Sequence, residues 1–104
     1  MKGDLEIYPG EKGWIPFILS YPLYAPTGRE FNYNTGNSIL VGAMLTDASN
    51  LDLCEFAYKH LFDPMDISVE YWGKTPDGYF EGGNNLFLTP RELAKIGLLL
   101  INEG

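Results

Sequence analysis

The stretch Gly28-Arg29-Glu30-Phe31-Asn32-Tyr33-Asn34-Thr35-Gly36-Asn37 decides how the chain is organised. The stretch from Tyr24 to Phe31, with Pro26 and Gly28, reads as a turn, because glycine and proline supply the backbone angles a reversal needs. After the turn, Ile39, Leu40, Ala43 and Met44 recur at helical spacing, and Val41 and Leu45 widen the stripe. This predicts a helix from about Ser38 to Leu45, continuing to about Ala48 and buried over most of its circumference. Asn34 or Thr35 is the expected N-cap, its side-chain oxygen accepting a backbone N–H that has no partner inside the helix. Tyr33 therefore stands at the mouth of an apolar helix, where a phenol can carry a proton; the residues alone favour a half-buried turn tyrosine packing its ring on the helix.

Two further helices are announced by their caps. Asp52 followed by Glu55 has capping-box spacing, with Leu51 and Phe56 flanking it. Leu53, Phe56, Ala57, His60 and Leu61 then share one face, and Asp63-Pro64 ends the helix. Thr89-Pro90-Arg91-Glu92 combines an N-cap, a proline in the first turn and a capping glutamate. Leu93, Ile96, Leu100 and Ile101 carry the apolar face of that helix to a stop at Gly104. Upstream, Trp14 to Pro22 is apolar and consistent with a short helix starting near Pro16. Val69–Trp72, Tyr79-Phe80 and Leu86–Leu88 are short β-prone pieces, separated by turn residues at 74–78 and 82–85.

The expected fold class is mainly α with a small β-hairpin element. At 104 residues the chain is one domain able to build a small core. Hydrophobic residues make up 45% of it and aromatic residues 14%, which argues against disorder. A net charge of −7 repels phosphate backbones and anionic headgroups, so nucleic acid and membrane surfaces are not expected partners. The N-terminal residues show no apolar signal core and no run is long enough to span a bilayer, which leaves the cellular compartment open. Cys54 is the one cysteine, so neither an internal disulfide nor a cysteine-built metal site is available.

From about Pro26 to Gly104 the ordered set of segments resembles the helical subdomain of the serine β-lactamase and penicillin-binding-protein-like hydrolases. The resemblance rests on Phe31-Asn32-Tyr33-Asn34-Thr35-Gly36, the apolar helix after it, the capped helix ending at Leu61-Phe62-Asp63-Pro64, Trp72, Asp77-Gly78, Gly82-Gly83 and Leu88-Thr89-Pro90-Arg91-Glu92-Leu93-Ala94-Lys95-Ile96-Gly97. It implies a helical subdomain, here residues 1–104, that sits beside a mixed α/β subdomain with the active-site cleft between them. It also implies acyl transfer on β-lactams, D-alanyl peptides or small esters and amides, with no cofactor and no metal. Tyr33 falls on the tyrosine of the family's Tyr-x-Asn motif, whose phenol moves a proton between the serine and the leaving group. Thr35 stands at the motif's asparagine position. A hydroxyl there can donate to a substrate carbonyl, or simply belong to the first turn of its helix.

The family's Ser-x-x-Lys nucleophile is missing: none of Ser20, Ser38, Ser49 and Ser68 has a lysine three residues later. Lys74-Thr75 begins like the family's Lys-Thr-Gly strand, but Pro76 has no N–H for a sheet ladder and Asp77-Gly78 marks a turn. Asp66 stands where the family usually has glycine, and aspartate tolerates the left-handed backbone that such a turn requires. His60 and Cys54 lack the further ligands of a metal site, Asp63 and Asp66 suit helix termination better than paired-carboxylate chemistry, and Gly82-Gly83 suits a tight turn. Two readings follow. In one, the chain is the tyrosine-bearing part of a serine hydrolase and is not catalytic alone. In the other, it is a free-standing binding or assembly module of the same fold. Either the missing α/β half or a second copy should cover an apolar patch drawn from Trp14, Phe17, the 38–45 helix and the 93–101 helix, and self-association into a homo-oligomer is the expectation for the chain by itself.

Overall fold

The computed structural model describes residues 13–104. Its elements run α1 (Trp14–Leu19), α2 (Thr35–Ser49), α3 (Leu53–Ala57) continuing into a π-helical turn (Tyr58–Phe62), β1 (Tyr71–Trp72), β2 (Leu86–Phe87) and α4 (Pro90–Ile101). The chain is thus mainly helical, with one small antiparallel sheet in which Tyr71 pairs with Phe87 and Trp72 with Leu86. The expected strand at Tyr79-Phe80 is reduced to a single bridge between Lys74 and Phe80. A tight turn folds it back: Gly78 N–H donates to the Thr75 carbonyl at 2.9 Å and Thr75 N–H to the Tyr79 carbonyl at 2.7 Å.

α2 is the central element and packs on both α1 and α3. The Asn34 side chain caps it by accepting from Asn37 N–H, and Asn50 closes it in the left-handed conformation at φ 58°. Its inward face is Thr35, Gly36, Ile39, Gly42 and Ala43. The small residues on that face bring the helix onto backbone rather than onto side chains. A Cβ built on Gly82 would lie 2.5 Å from the Ser38 carbonyl oxygen, and one built on Gly83 would lie 2.7 Å from Thr35 Cγ2. Gly42 faces Gly82 in the same contact, its own Cβ position 3.3 Å from Gly82 Cα. The glycine pair expected to serve a turn is therefore also a packing surface for α2. The outward side of α2 is not covered: Val41 is 64% and Met44 67% exposed, against the expectation of burial nearly all round.

α3 begins as its cap predicts, the Asp52 carboxylate accepting from Glu55 N–H at 2.7 Å. Its last turn widens, with Asp63 N–H reaching the Tyr58 carbonyl at 2.9 Å. An i→i+5 turn shifts every later side chain around the axis. Phe62 is buried as a result, whereas His60, expected on the core face, lies exposed and tilts against Phe56 at 4.5 Å. Phe62 continues the core into Trp72, whose ring meets Phe80 and whose indole N–H donates to the Glu81 carbonyl at 2.8 Å.

α4 carries the full capping box, with Glu92 N–H on the Thr89 hydroxyl and Thr89 N–H on the Glu92 carboxylate. Glu92 also accepts from Ser68 N–H, and Lys95 donates to the Asp66 carbonyl at 2.6 Å. Asp66 holds the left-handed angle expected of it, at φ 55°. Those contacts fasten one side of α4 to the segment before β1. Of the apolar residues expected to pack, Ile96 is half-buried, but Leu93, Leu100 and Ile101 face outward at 62%, 76% and 78% exposure.

The close approach at Gly82 is open to test. Gly82→Ala should destabilise the chain by about 1–3 kcal/mol, since the methyl must displace the backbone of α2. Gly97→Ala, whose methyl would enter open space, should stabilise α4 by up to about 1 kcal/mol. Urea unfolding of both variants, followed by circular dichroism, measures the contrast.

Candidate functional site

Residues 30–34 form neither helix nor turn, and Asn34, the cap of α2, is extended at φ −149° and ψ 108°. Glu30, Asn32 and Asn34 line a groove of about 470 Å³, while Phe31 and Tyr33 are 90% and 68% exposed. The rest of the groove comes from Ile18 and Leu19 at the end of α1, from the loop at 21–28, and from Asn37 and Leu40 of α2. Tyr33 is thus presented to solvent just before the cap of α2, rather than half-buried against the helix. Thr35 lies in neither place. It is 8% exposed, at the first position of α2, where its methyl packs over Gly83.

One carboxylate holds the groove's far wall in position. Asp77 accepts hydrogen bonds from Trp14 N–H at 2.7 Å and Ile15 N–H at 2.9 Å, capping α1 from a loop more than sixty residues away in sequence. Gly13 makes room for it: its φ is 89°, and a Cβ there would sit 2.5 Å from an Asp77 carboxylate oxygen. Partial burial pushes the Asp77 pKa up, but the Trp14 and Ile15 N–H groups, with the Thr75 hydroxyl, outweigh that and hold it below the usual aspartate value. In sequence Asp77 is only a turn residue, because Trp14 and Ile15 lie more than sixty positions away.

The groups with proton or nucleophile chemistry are dispersed. Ser20 donates to the Phe17 carbonyl at 2.6 Å, and Ser49 bonds within its own turn to Leu51. The Lys74 ammonium lies over the Phe80 ring, 4.6 Å from its centre, and Lys95 is held at Asp66. Burial, then the neighbouring Asp52 and Glu55 charges, raise the Cys54 pKa, which keeps the thiol protonated. The Tyr79 hydroxyl donates to Asp47, which raises its pKa. Among the described residues, no three histidine, cysteine, aspartate or glutamate side chains converge on one point. No described helix is long and apolar enough to cross a membrane. No protein-family model matches the sequence, and no curated protein matches it.

Asp77 makes the chain's stability depend on pH in a defined direction. A carboxylate whose folded pKa is depressed contributes stability that is present above its unfolded value, near about 3.9, and lost as pH falls through the lower folded value. Asp77→Ala should lower stability at pH 7 by about 1–2 kcal/mol, the range for a lost helix cap. The gap between wild type and Asp77→Asn should shrink as pH falls from 5 to about 2. Thermal melts of the three proteins across that range provide the measurement.

Proposed function

We propose that this chain is the tyrosine-bearing helical subdomain of a serine acyl-transfer hydrolase, acting on β-lactam, D-alanyl peptide or small ester and amide substrates, and that it is not catalytic alone. The observation that carries the reading is the presentation of Tyr33: an exposed phenol one residue before the extended cap, Asn34, of an apolar helix. In such an enzyme the phenol exchanges a proton with a serine supplied by the α/β half. The uncovered side of α2 at Val41 and Met44 supports the same reading, since a second body is needed to bury it. Thr35, buried over Gly83, orders the first turn of α2 and so fixes where Tyr33 stands. The four serines offer no activated nucleophile: none has a lysine at Ser-x-x-Lys spacing.

Two measurements test this. The chain should turn over neither a chromogenic cephalosporin nor a nitrophenyl ester above a denatured control, and intact-mass spectrometry after incubation with a penicillin should show no acyl adduct. Stoichiometric acylation at any serine overturns the claim of inactivity. The encoding reading frame should continue into a Ser-x-x-Lys segment upstream and a Lys-Thr-Gly or His-x-Gly strand downstream. A frame closed on both sides would favour the free-standing module.

A further inference from the structure

We infer that α4 is a self-association surface, on which a second copy of this chain lies antiparallel, with the two-fold axis passing beside Gly97. The inference uses α4 alone and does not rest on the hydrolase reading. At 100° per residue, Gly97 is the centre of the outward face of α4, with Leu93 and Leu100 on one side of it and Ala94 and Ile101 on the other. All four flanking residues are exposed, and the space above Gly97 is open, with nothing within 4 Å of where its Cβ would be. The opposite side of the helix, by contrast, is engaged through Glu92 and Lys95.

This arrangement is self-complementary. A two-fold axis lying between antiparallel helices keeps each side of the stripe facing the same side of its mate. Leu93 then meets the second copy's Leu100, small Ala94 meets the second copy's large Ile101, and Gly97 faces itself where the helices must come closest. The helix ends agree as well. The last turn of α4 has no basic residue to answer its negative dipole end, and the first turn carries Arg91. Antiparallel pairing sets Arg91 at the level of the second copy's Glu103 and carbonyl end, so opposite charges and opposite helix dipoles meet at both ends. A parallel pair would align like ends.

A face of twelve residues is only about 18 Å long, so the contact belongs to the small, reversible class of interface. Size exclusion with light scattering should therefore show a mass rising from 11.7 kDa towards twice that value as concentration climbs from about 1 to about 500 μM. Leu100→Glu and Ile101→Glu should hold the mass at the monomer value, with an unchanged far-ultraviolet spectrum, because these side chains face solvent in the single chain. In a Cys54→Ser background, Gly97→Cys should form an intermolecular disulfide at least tenfold faster than Ala48→Cys, an exposed position on α2. A monomer throughout the range, a dimer that survives both glutamate variants, or equal cross-linking at positions 97 and 48 would each overturn the inference. None of these outcomes bears on acylation or on the reading frame.

Discussion

The rest of the structure depends on the absence of side-chain volume at three glycines. Gly42 on α2 and Gly82-Gly83 on the loop before β2 let a helix lie on bare backbone, with the Ser38 carbonyl and the Thr35 methyl occupying space that Cβ atoms would need. Interiors tolerate little change in volume, so this contact fixes a position rather than a tendency. It sets the distance between α2 and the hairpin. Through the hairpin it sets the stack of Phe80, Trp72 and Phe62, which reaches back to the π-helical turn after α3. The core built this way is small. Ile18, Ile39, Ala43, Phe62 and Ile67 are the buried apolar side chains among the described residues, and the radius of gyration of 15.4 Å exceeds the roughly 13 Å of a closed chain of this length.

A second, polar constraint adds α1 to that frame. The 74–80 turn is held by Thr75, which is buried and accepts from Tyr79 N–H, and the turn aims Asp77 at the open N–H groups of Trp14 and Ile15. A six-residue helix has little stability of its own, so its cap and its packing on α2 decide whether it forms. Since Ile18 and Leu19 form part of the groove, the shape of that groove depends on a carboxylate outside it. The hairpin thus fixes α2 through missing atoms and α1 through a charge.

What was legible in the sequence is what local chemistry determines. Thr89, Pro90 and Glu92 announce α4 because a capping box is satisfied within four residues, and Asp52 announces α3 by accepting from Glu55 N–H, without the reciprocal bond. Asn34 capped α2 as its position before an apolar helix implied. The misses are contacts made between distant segments, or turns whose periodicity changes. A regular period of 3.6 residues per turn puts His60 on the core, whereas the π-helical turn puts Phe62 there instead. Gly82-Gly83 carried a turn signal that concealed a packing role, since glycine gives the same letter for both. Asp77 was visible only as a turn residue, because its partners Trp14 and Ile15 are more than sixty positions away. In the candidate site, the prominence of Tyr33 followed from the sequence, but the path of the backbone that turns Asn32 and Asn34 to the groove and leaves Tyr33 exposed did not.

The distribution of apolar surface explains why folding of this chain and completion of its surface are separate problems. Caps and glycines specify the elements and the way they cross, yet they use only the inner side of each helix. α2 has apolar residues on its outer side as well as its inner one, and the outer residues Val41 and Met44 stay 64% and 67% exposed. α4 is amphipathic, but the side fastened to the body bears Glu92 and Lys95, so these polar anchors point inward while Leu93, Leu100 and Ile101 point outward. A helix oriented by hydrogen bonds against its own hydrophobic gradient gains more from a partner on its free side than from any rearrangement within the chain. Turning α4 inward would forfeit the contacts of Glu92 to Ser68 and of Lys95 to Asp66. The outward leucines are therefore a consequence of the same polar contacts that fix α4 in place.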